Sequence, residues 1–247
     1  MISHALYGTQ ASATLLDFHT GKVLVSTGKT PQATPGSTIK PLLLEYALSH
    51  RIVQSETKVY CRRNLQVGDH FIPCTHPTDH PVFTAESALA ESCNTWFAEM
   101  ARRFTGPELE AAIQTTHLAH ASMNNANIEQ RQLATLGLQS VYASPLQLAQ
   151  AYRQLLQRIS PDSPVAHGLR DSVLYGMANS AAIPGIVLLG KTGTASNPGE
   201  AWTHGWFVGA VPNHFVLVLY VPHGDGGTAA YLAHDILQNI SGEGYLR

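Results

Sequence analysis

Three short patterns along this 247-residue chain pair residue types that do acyl chemistry. The first is a serine three residues ahead of a lysine, found at Ser26–Lys29, Ser37–Lys40 and Ser55–Lys58. At helical spacing the two side chains share a face, so an amine can take the hydroxyl proton and make the serine a nucleophile. Ser26 falls at a strand end with Gly28 inside its match, and Ser55 lies in an irregular segment. Only Ser37 opens an apolar segment long enough for a helix, Ile39 to Leu48, which sets its hydroxyl and N–H at a positive helix end. Pro35-Gly36 ahead of it lets the chain turn sharply. A serine in this position more often only caps its helix, so the pattern alone does not establish catalysis.

The second pattern is Ser-x-Asn, at Ser92-Cys93-Asn94 and Ser122-Met123-Asn124. The first copy interrupts a helical run from Thr84 to Phe104, where polar side chains can point into a cleft; the second sits in an Asn-rich connector and reads as turn chemistry. The third is Lys191-Thr192-Gly193. Residues 185–192 also spell the phosphate-loop pattern G-x-x-x-x-G-K-T, but the intervening Ile186-Val187-Leu188-Leu189 reads as a buried strand, and Gly193 to Pro198 is a poor helix. A phosphate loop needs an exposed loop followed by a helix, so nucleotide binding is not expected.

The elements that position these residues can be read from periodicity. Ala13 to Phe18 and Lys22 to Ser26 read as strands around a Thr20-Gly21 turn, and residues 51–81 read as irregular. Ser144-Pro145-Leu146-Gln147 is a capping box with proline at the first helical position, opening a helix whose face is Leu148, Tyr152, Leu155, Leu156 and Ile159. A helix is expected over 169–177, strands over 186–189, 206–211 and 215–221, and a closing helix over 229–240. Strands at both ends and helices between them imply one antiparallel sheet built from the two ends and covered by the terminal helix, with a helical insert.

Composition narrows the function. With 44% hydrophobic and 13% charged residues and a formal charge of −2, the chain is neither disordered nor a phosphate-neutralising nucleic-acid binder. No apolar run approaches the ~20 residues of a membrane span. Met1 to Gly8 has no basic stretch followed by an apolar one, so no signal peptide is expected.

In order, S-x-x-K, S-x-N and K-T-G form the signature shared by penicillin-binding proteins and serine β-lactamases. Pro35-Gly36-Ser37-Thr38-Ile39-Lys40-Pro41 resembles the nucleophile segment of high-molecular-mass penicillin-binding proteins, and Ala88 to Phe97 their second motif. Residues 144–152 resemble a helix of their transpeptidase domains. Residues 190–195 with Gly205-Trp206-Phe207-Val208-Gly209 resemble their third motif and next strand, and Leu16-Asp17 with residues 20–24 their first hairpin. The resemblance covers nearly the whole chain. It implies an α+β fold: an antiparallel sheet of about five strands covered by helices, in a single domain. Its lobes are 1–36 plus 165–247, and a mostly helical 37–164.

The resemblance also implies roles. Ser37 attacks the penultimate D-Ala carbonyl of a peptidoglycan stem peptide, or a β-lactam. A neutral Lys40 is its base, with burial and the Lys191 charge lowering its pKa. Ser92 relays a proton, Asn94 holds substrate amide and Lys40, and Lys191, Thr192 and Thr194 meet the substrate carboxylate. The N–H groups of Ser37 and Thr194 form the oxyanion hole, and Gly193 leaves room for substrate along the strand edge. A D,D-transpeptidase is therefore expected, extracytoplasmic in location, with a membrane or partner-domain tether possible outside this chain. The alternatives are a serine β-lactamase, a D,D-carboxypeptidase, or a non-catalytic β-lactam-binding domain. No cofactor or metal is expected.

Cys61, Cys74, His76 and His80 run as C-x12-C-x-H-x3-H. The first gap is far from the C-x2–4-C of common structural zinc sites. Outside the cytoplasm a Cys61–Cys74 disulfide is the plainer reading, free thiols being the other alternative to zinc. Cys93 reads as a small packing residue.

Overall fold

A computed structural model of the chain describes residues 2, 6, 8–29, 31–77 and 80–242. The opening octapeptide and both ends of the 1–36 plus 165–247 lobe thus fall partly outside the described residues. Strands β1 (Ser12–Asp17) and β2 (Val23–Thr27) form the first hairpin, turning at Gly21 with φ +71° and tied by Asp17 Oδ1 accepting from the Thr20 N–H at 2.7 Å. A 3-10 turn, Gly36–Ile39, leads into helix α1 (Lys40–Ser49).

The segment expected to be irregular is partly ordered into short strands. β3 (Val59–Tyr60) pairs with β6 (Val82–Phe83), and between them β4 (Asn64–Val67) and β5 (His70–Pro73) make a hairpin. Mixed exposure along these strands hides any clean apolar alternation, which is why periodicity missed them. Helices α2 (Ala85–Ala90) and α3 (Asn94–Arg103) flank the expected interruption at Ser92. There follow α4 (Gly106–Gln114), β7 (Ala119–His120), α5 (Ile128–Thr135), β8 (Val141–Tyr142), α6 (Pro145–Arg158) and α7 (Pro164–Leu174). The capping box forms: Ser144 Oγ accepts from Gln147 N–H, and Gln147 Oε1 from Ser144 N–H.

The C-terminal part supplies β9 (Leu189–Ala195), β10 (His204–Val211), β11 (Phe215–Val221) and α8 (Gly226–Gly242). The strand expected at 186–189 begins only at Leu189, because Gly185 (φ +80°) closes a turn and Val187 is exposed. The strand instead carries the Lys191-Thr192-Gly193 motif, set by its ladder with β10, where Lys191 faces Val208 and Gly193 faces Trp206. Pairing, rather than apolar content, defines it.

The result is the expected α+β fold: a five-stranded sheet in the order β2-β1-β11-β10-β9, antiparallel throughout. Alternation along β10 and β11 splits the core. Phe207, Leu217 and Leu219 pack with Ala229, Ala233 and Ile236 of α8 on one face. Trp206, Val208, Val216 and Val218 pack with Leu148, Tyr152 and Leu155 of α6 and the other helices on the opposite face. β9 is an edge strand, so one side of it is open to a cleft. Among the described residues no helix is long and apolar enough to cross a membrane.

Candidate active site

Ser37 lies in the 3-10 turn rather than at the start of the α-helix, which begins at Lys40. A 3-10 turn stacks positions i and i+3, so Ser37 and Lys40 still share one face. The turn is pinned from several sides. Thr38 Oγ1 donates to the Pro35 carbonyl at 2.7 Å, Gly36 N–H to Gly137 O at 2.9 Å, and the buried Tyr152 hydroxyl of α6 to Thr38 O at 2.6 Å. Upstream, Thr34 O accepts from Trp206 Nε1 at 2.9 Å and lies 2.8 Å from His204 Nε2, a contact that requires the proton on Nε2. Burial holds the His204 pKa down, which favours that neutral ring.

Two glycines let the turn and β9 meet backbone to backbone. A Cβ on Gly36 (φ +53°) would come within 2.7 Å of Thr194 O, and one on Gly193 within 2.6 Å of Pro35 O. Gly193 lines the cleft, and its missing side chain also makes room for Pro35 and Thr38 of the 3-10 turn.

Lys40 is fully buried. Its Nζ donates to Ser92 O at 2.9 Å, Ser92 Oγ at 3.2 Å and Asn94 Oδ1 at 2.7 Å, and sits 5.0 Å from the Phe97 ring centroid. Ser92 has φ +56°, a left-handed conformation that turns the chain between α2 and α3. Asn94 Nδ2 donates to Pro73 O at 3.0 Å, which fixes the amide with its oxygen toward Lys40. Lys191, also fully buried, donates to Ser92 Oγ at 2.9 Å and to Thr192 O at 3.1 Å. Ser92 Oγ therefore accepts from both lysines, which occupies its two lone pairs and directs its own proton elsewhere.

Burial lowers the Lys40 pKa to about 8, with the neighbouring Cys93 and Cys74 opposing the shift. The neighbouring Lys191 was expected to share in this, but burial is the dominant cause. Lys191 is held well below its ordinary value, first by burial and then by Lys40.

Ser37, Ser92, Asn94, Thr192, Gly193 and Thr194 line one cleft of about 600 Å³, with Lys40 and Lys191 buried behind Ser92. All eight residues singled out in the sequence thus meet. Ser26, Ser55 and the Ser122–Asn124 pair do not line this cleft; Ser55 Oγ bonds Glu56, and Ser122 Oγ accepts from Asn124 N–H as turn chemistry predicts. Sequence reasoning missed the cleft's far rim, Asp225-Gly226-Gly227. Gly226 N–H donates to Thr194 Oγ1 at 2.9 Å, and Asp225 caps α8 by accepting from Thr228 N–H at 2.8 Å. An Asp followed by two glycines and a threonine was the available signal for that cap.

Beside the cleft, Cys61 and Cys74 do not form the expected disulfide; all three cysteines are free thiols. They are buried with His76, and the ligand atoms of Cys61, Cys74, His76 and Cys93 lie within 4.8 Å of one another. Cys93 is therefore part of a cluster and not only a packing residue, while His80 stays outside it.

The family model of the penicillin binding protein transpeptidase domain matches residues 11–241. The chain belongs to this family. Solved structures agree on the fold. The D,D-transpeptidase domain of a peptidoglycan glycosyltransferase from Eggerthella lenta is 18% identical, with a TM-score of 0.85, covering 99% of this chain and 81% of that one. The transpeptidase domain of penicillin-binding protein 3 from Burkholderia pseudomallei is 19% identical, with a TM-score of 0.82 and coverages of 98% and 91%. Pseudomonas aeruginosa PBP2, solved in complex with WCK 5153, is 18% identical, with a TM-score of 0.81 and coverages of 97% and 75%. No curated protein matches the sequence.

Proposed function

We propose that this penicillin-binding transpeptidase domain is a D,D-transpeptidase acting on D-Ala-D-Ala stem peptides through an acyl-enzyme on Ser37. The observation that carries the reading is the convergence of two buried lysines on Ser92 Oγ: Lys191 and Lys40, the latter one turn of chain from Ser37, which lines the same cleft as Ser92. An ammonium at Lys40 would spend all three N–H bonds on Ser92 O, Ser92 Oγ and Asn94 Oδ1. A neutral amine keeps two and frees a lone pair for the Ser37 proton. The lowered Lys40 pKa supports that form.

In this reading Ser37 Oγ attacks the penultimate D-Ala carbonyl and Lys40 takes its proton. The oxyanion is met by the N–H groups of Ser37 and Thr194; the Thr194 nitrogen lies against Gly36, on the side of the nucleophile turn. The C–N bond breaks as Ser92 passes a proton to the leaving D-Ala nitrogen, and an amine of a second stem peptide later displaces Ser37. Lys191, Thr192 and Thr194 hold the terminal carboxylate. A carboxylate arriving beside the buried Lys191 favours its charged form, so binding itself would restore that proton.

Features against rapid hydrolysis separate this reading from a β-lactamase. Glu129 packs against Gly68 and does not line the cleft. Asn94 puts a polar amide oxygen 2.7 Å from Lys40 Nζ, which disfavours carboxylation of that amine. We further infer that residues 37–164 act as the mostly helical lobe of the single domain and that the chain works outside the cytoplasm, where peptidoglycan and β-lactams are met. Product analysis with a stem peptide, with and without an acceptor amine, tests the reaction: cross-linked product is expected when the amine is present, and hydrolysis alone under both conditions would make it a carboxypeptidase.

A further inference from the structure

Residues 59–83 are poorly supplied with core: Tyr60, Phe71 and Val82 are exposed, and the buried side chains include Cys61, Cys74 and His76. Those three converge on Cys93, with all four ligand atoms within 4.8 Å of one another. A tetrahedral zinc with sulfur at 2.3 Å sets its ligand atoms roughly 3.8 Å apart, so small movements suffice to close the cluster on an ion.

The surroundings fit ligation. His76 Nε2 points at Cys61 Sγ, 3.4 Å away, while Nδ1 sits 2.9 Å from Pro77 O and 3.7 Å from the Glu91 carboxylate. Those acceptors hold the proton on Nδ1 and leave the Nε2 lone pair facing the sulfurs, the arrangement that orients ligating histidines. The sulfurs already serve as acceptors: Arg63 N–H donates to Cys61 Sγ at 3.3 Å and Asn94 N–H to Cys74 Sγ at 3.2 Å. The Arg63 guanidinium braces the ligand loop through Cys74 O at 3.3 Å and His76 O at 2.7 Å. A donor set of three thiolates and one imidazole selects a soft or borderline ion such as zinc over magnesium or calcium.

We propose that Cys61, Cys74, His76 and Cys93 bind one zinc ion, which fixes the Ser92–Asn94 motif to the β4–β5 hairpin. On binding, each thiol gives its proton to solvent and no redox change occurs. Cys61 and Cys74 bracket the hairpin, and Cys93 lies between the two residues that hold Lys40. The zinc is structural, and its ligands are positioning residues. The metal site stands on its own donors; its effect on Ser37 rests on the acyl-transfer reading above.

The test begins with the unmutated chain purified without chelator. Elemental analysis should give about one zinc per chain, the stoichiometry of a single closed site. Replacement by cobalt(II) should give the intense bands and sulfur charge transfer of a tetrahedral thiolate site. His76→Ala and Cys61→Ser should lose the metal, whereas Ser37→Ala should keep it while losing penicillin labelling, which separates failure of this site from failure of the acylation reading. Removing zinc from the unmutated chain should slow labelling at least tenfold, with recovery on adding zinc back. A chain that takes up neither zinc nor cobalt, or whose intact mass is two hydrogens short through a disulfide, overturns the site. Zinc removal without any change in labelling overturns its positioning role.

Discussion

The two walls of the cleft are built on different principles. The wall bearing Ser37 and Lys191–Thr194 stands on the five-stranded sheet, where backbone meets backbone at Gly36 and Gly193 and buried apolar residues lie on both faces. The facing wall, Ser92–Asn94, is reached through a left-handed serine and a segment of short, exposed strands. There polar contacts supplement the buried Leu89, Trp96 and Phe97: Asn94 on Pro73 and Cys74, and the cysteine–histidine cluster behind it. The two sides of the cleft are thus held rigid for unlike reasons, and each should fail in its own way.

The sheet wall should be intolerant of added atoms. Gly193→Ala places a methyl against the Pro35 carbonyl, a backbone atom that cannot step aside without moving the turn. Acylation by penicillin should fall on the order of 100-fold, as expected for a misplaced nucleophile. Stability should fall by about 1–3 kcal/mol, the usual cost of overpacking. Stopped-flow labelling and thermal melts read the two effects separately, and an unchanged rate would show that the close approach of Gly193 to Pro35 does not hold Ser37 in place.

The next effect reports on the motif wall through Lys40. Its pKa is lowered to about 8, and the base is the neutral form, so acylation should rise with pH and level off above that value. Below it the rate should drop about tenfold per pH unit, the slope of a single titrating base. A rate that stays flat from pH 6 to 9, or falls with rising pH, would remove Lys40 from the base's role.

These expectations show how unevenly the sequence spoke. The sheet was legible because residues 206–211 and 215–221 alternate or run apolar, and the Ser144 capping box announces α6. The eight motif residues were legible by type and order, although spacing could not show that Lys191 would share Ser92 with Lys40. The cysteine cluster was not, because its ligands come from positions 61, 74, 76 and 93 and are joined only by tertiary folding. Gly193 was legible as a position without a side chain, but the closeness of Pro35 was not, since it is a long-range contact.

Tyr152→Phe leaves the Thr38 carbonyl without its buried donor and should cost about 1–2 kcal/mol. A few-fold slower acylation should accompany it, because Thr38 adjoins Ser37. Ser144→Ala, at the far end of the same helix, removes only an N-cap. It should cost about 1 kcal/mol and leave the acylation rate unchanged. Equal rate effects from the two would mean that α6 supports the site only through overall stability.

The central claim is that Ser37 is the nucleophile and that its acyl-enzyme is long-lived. Intact mass after exposure to a fluorescent penicillin, followed by removal of excess and a timed chase, tests both parts together. The account predicts one penicilloyl adduct, mapped to the peptide containing Ser37, absent from Ser37→Ala and present in Ser26→Ala and Ser55→Ala, with a signal that outlasts its formation many times over. Labelling that persists in Ser37→Ala, or an adduct that turns over within seconds, would contradict it.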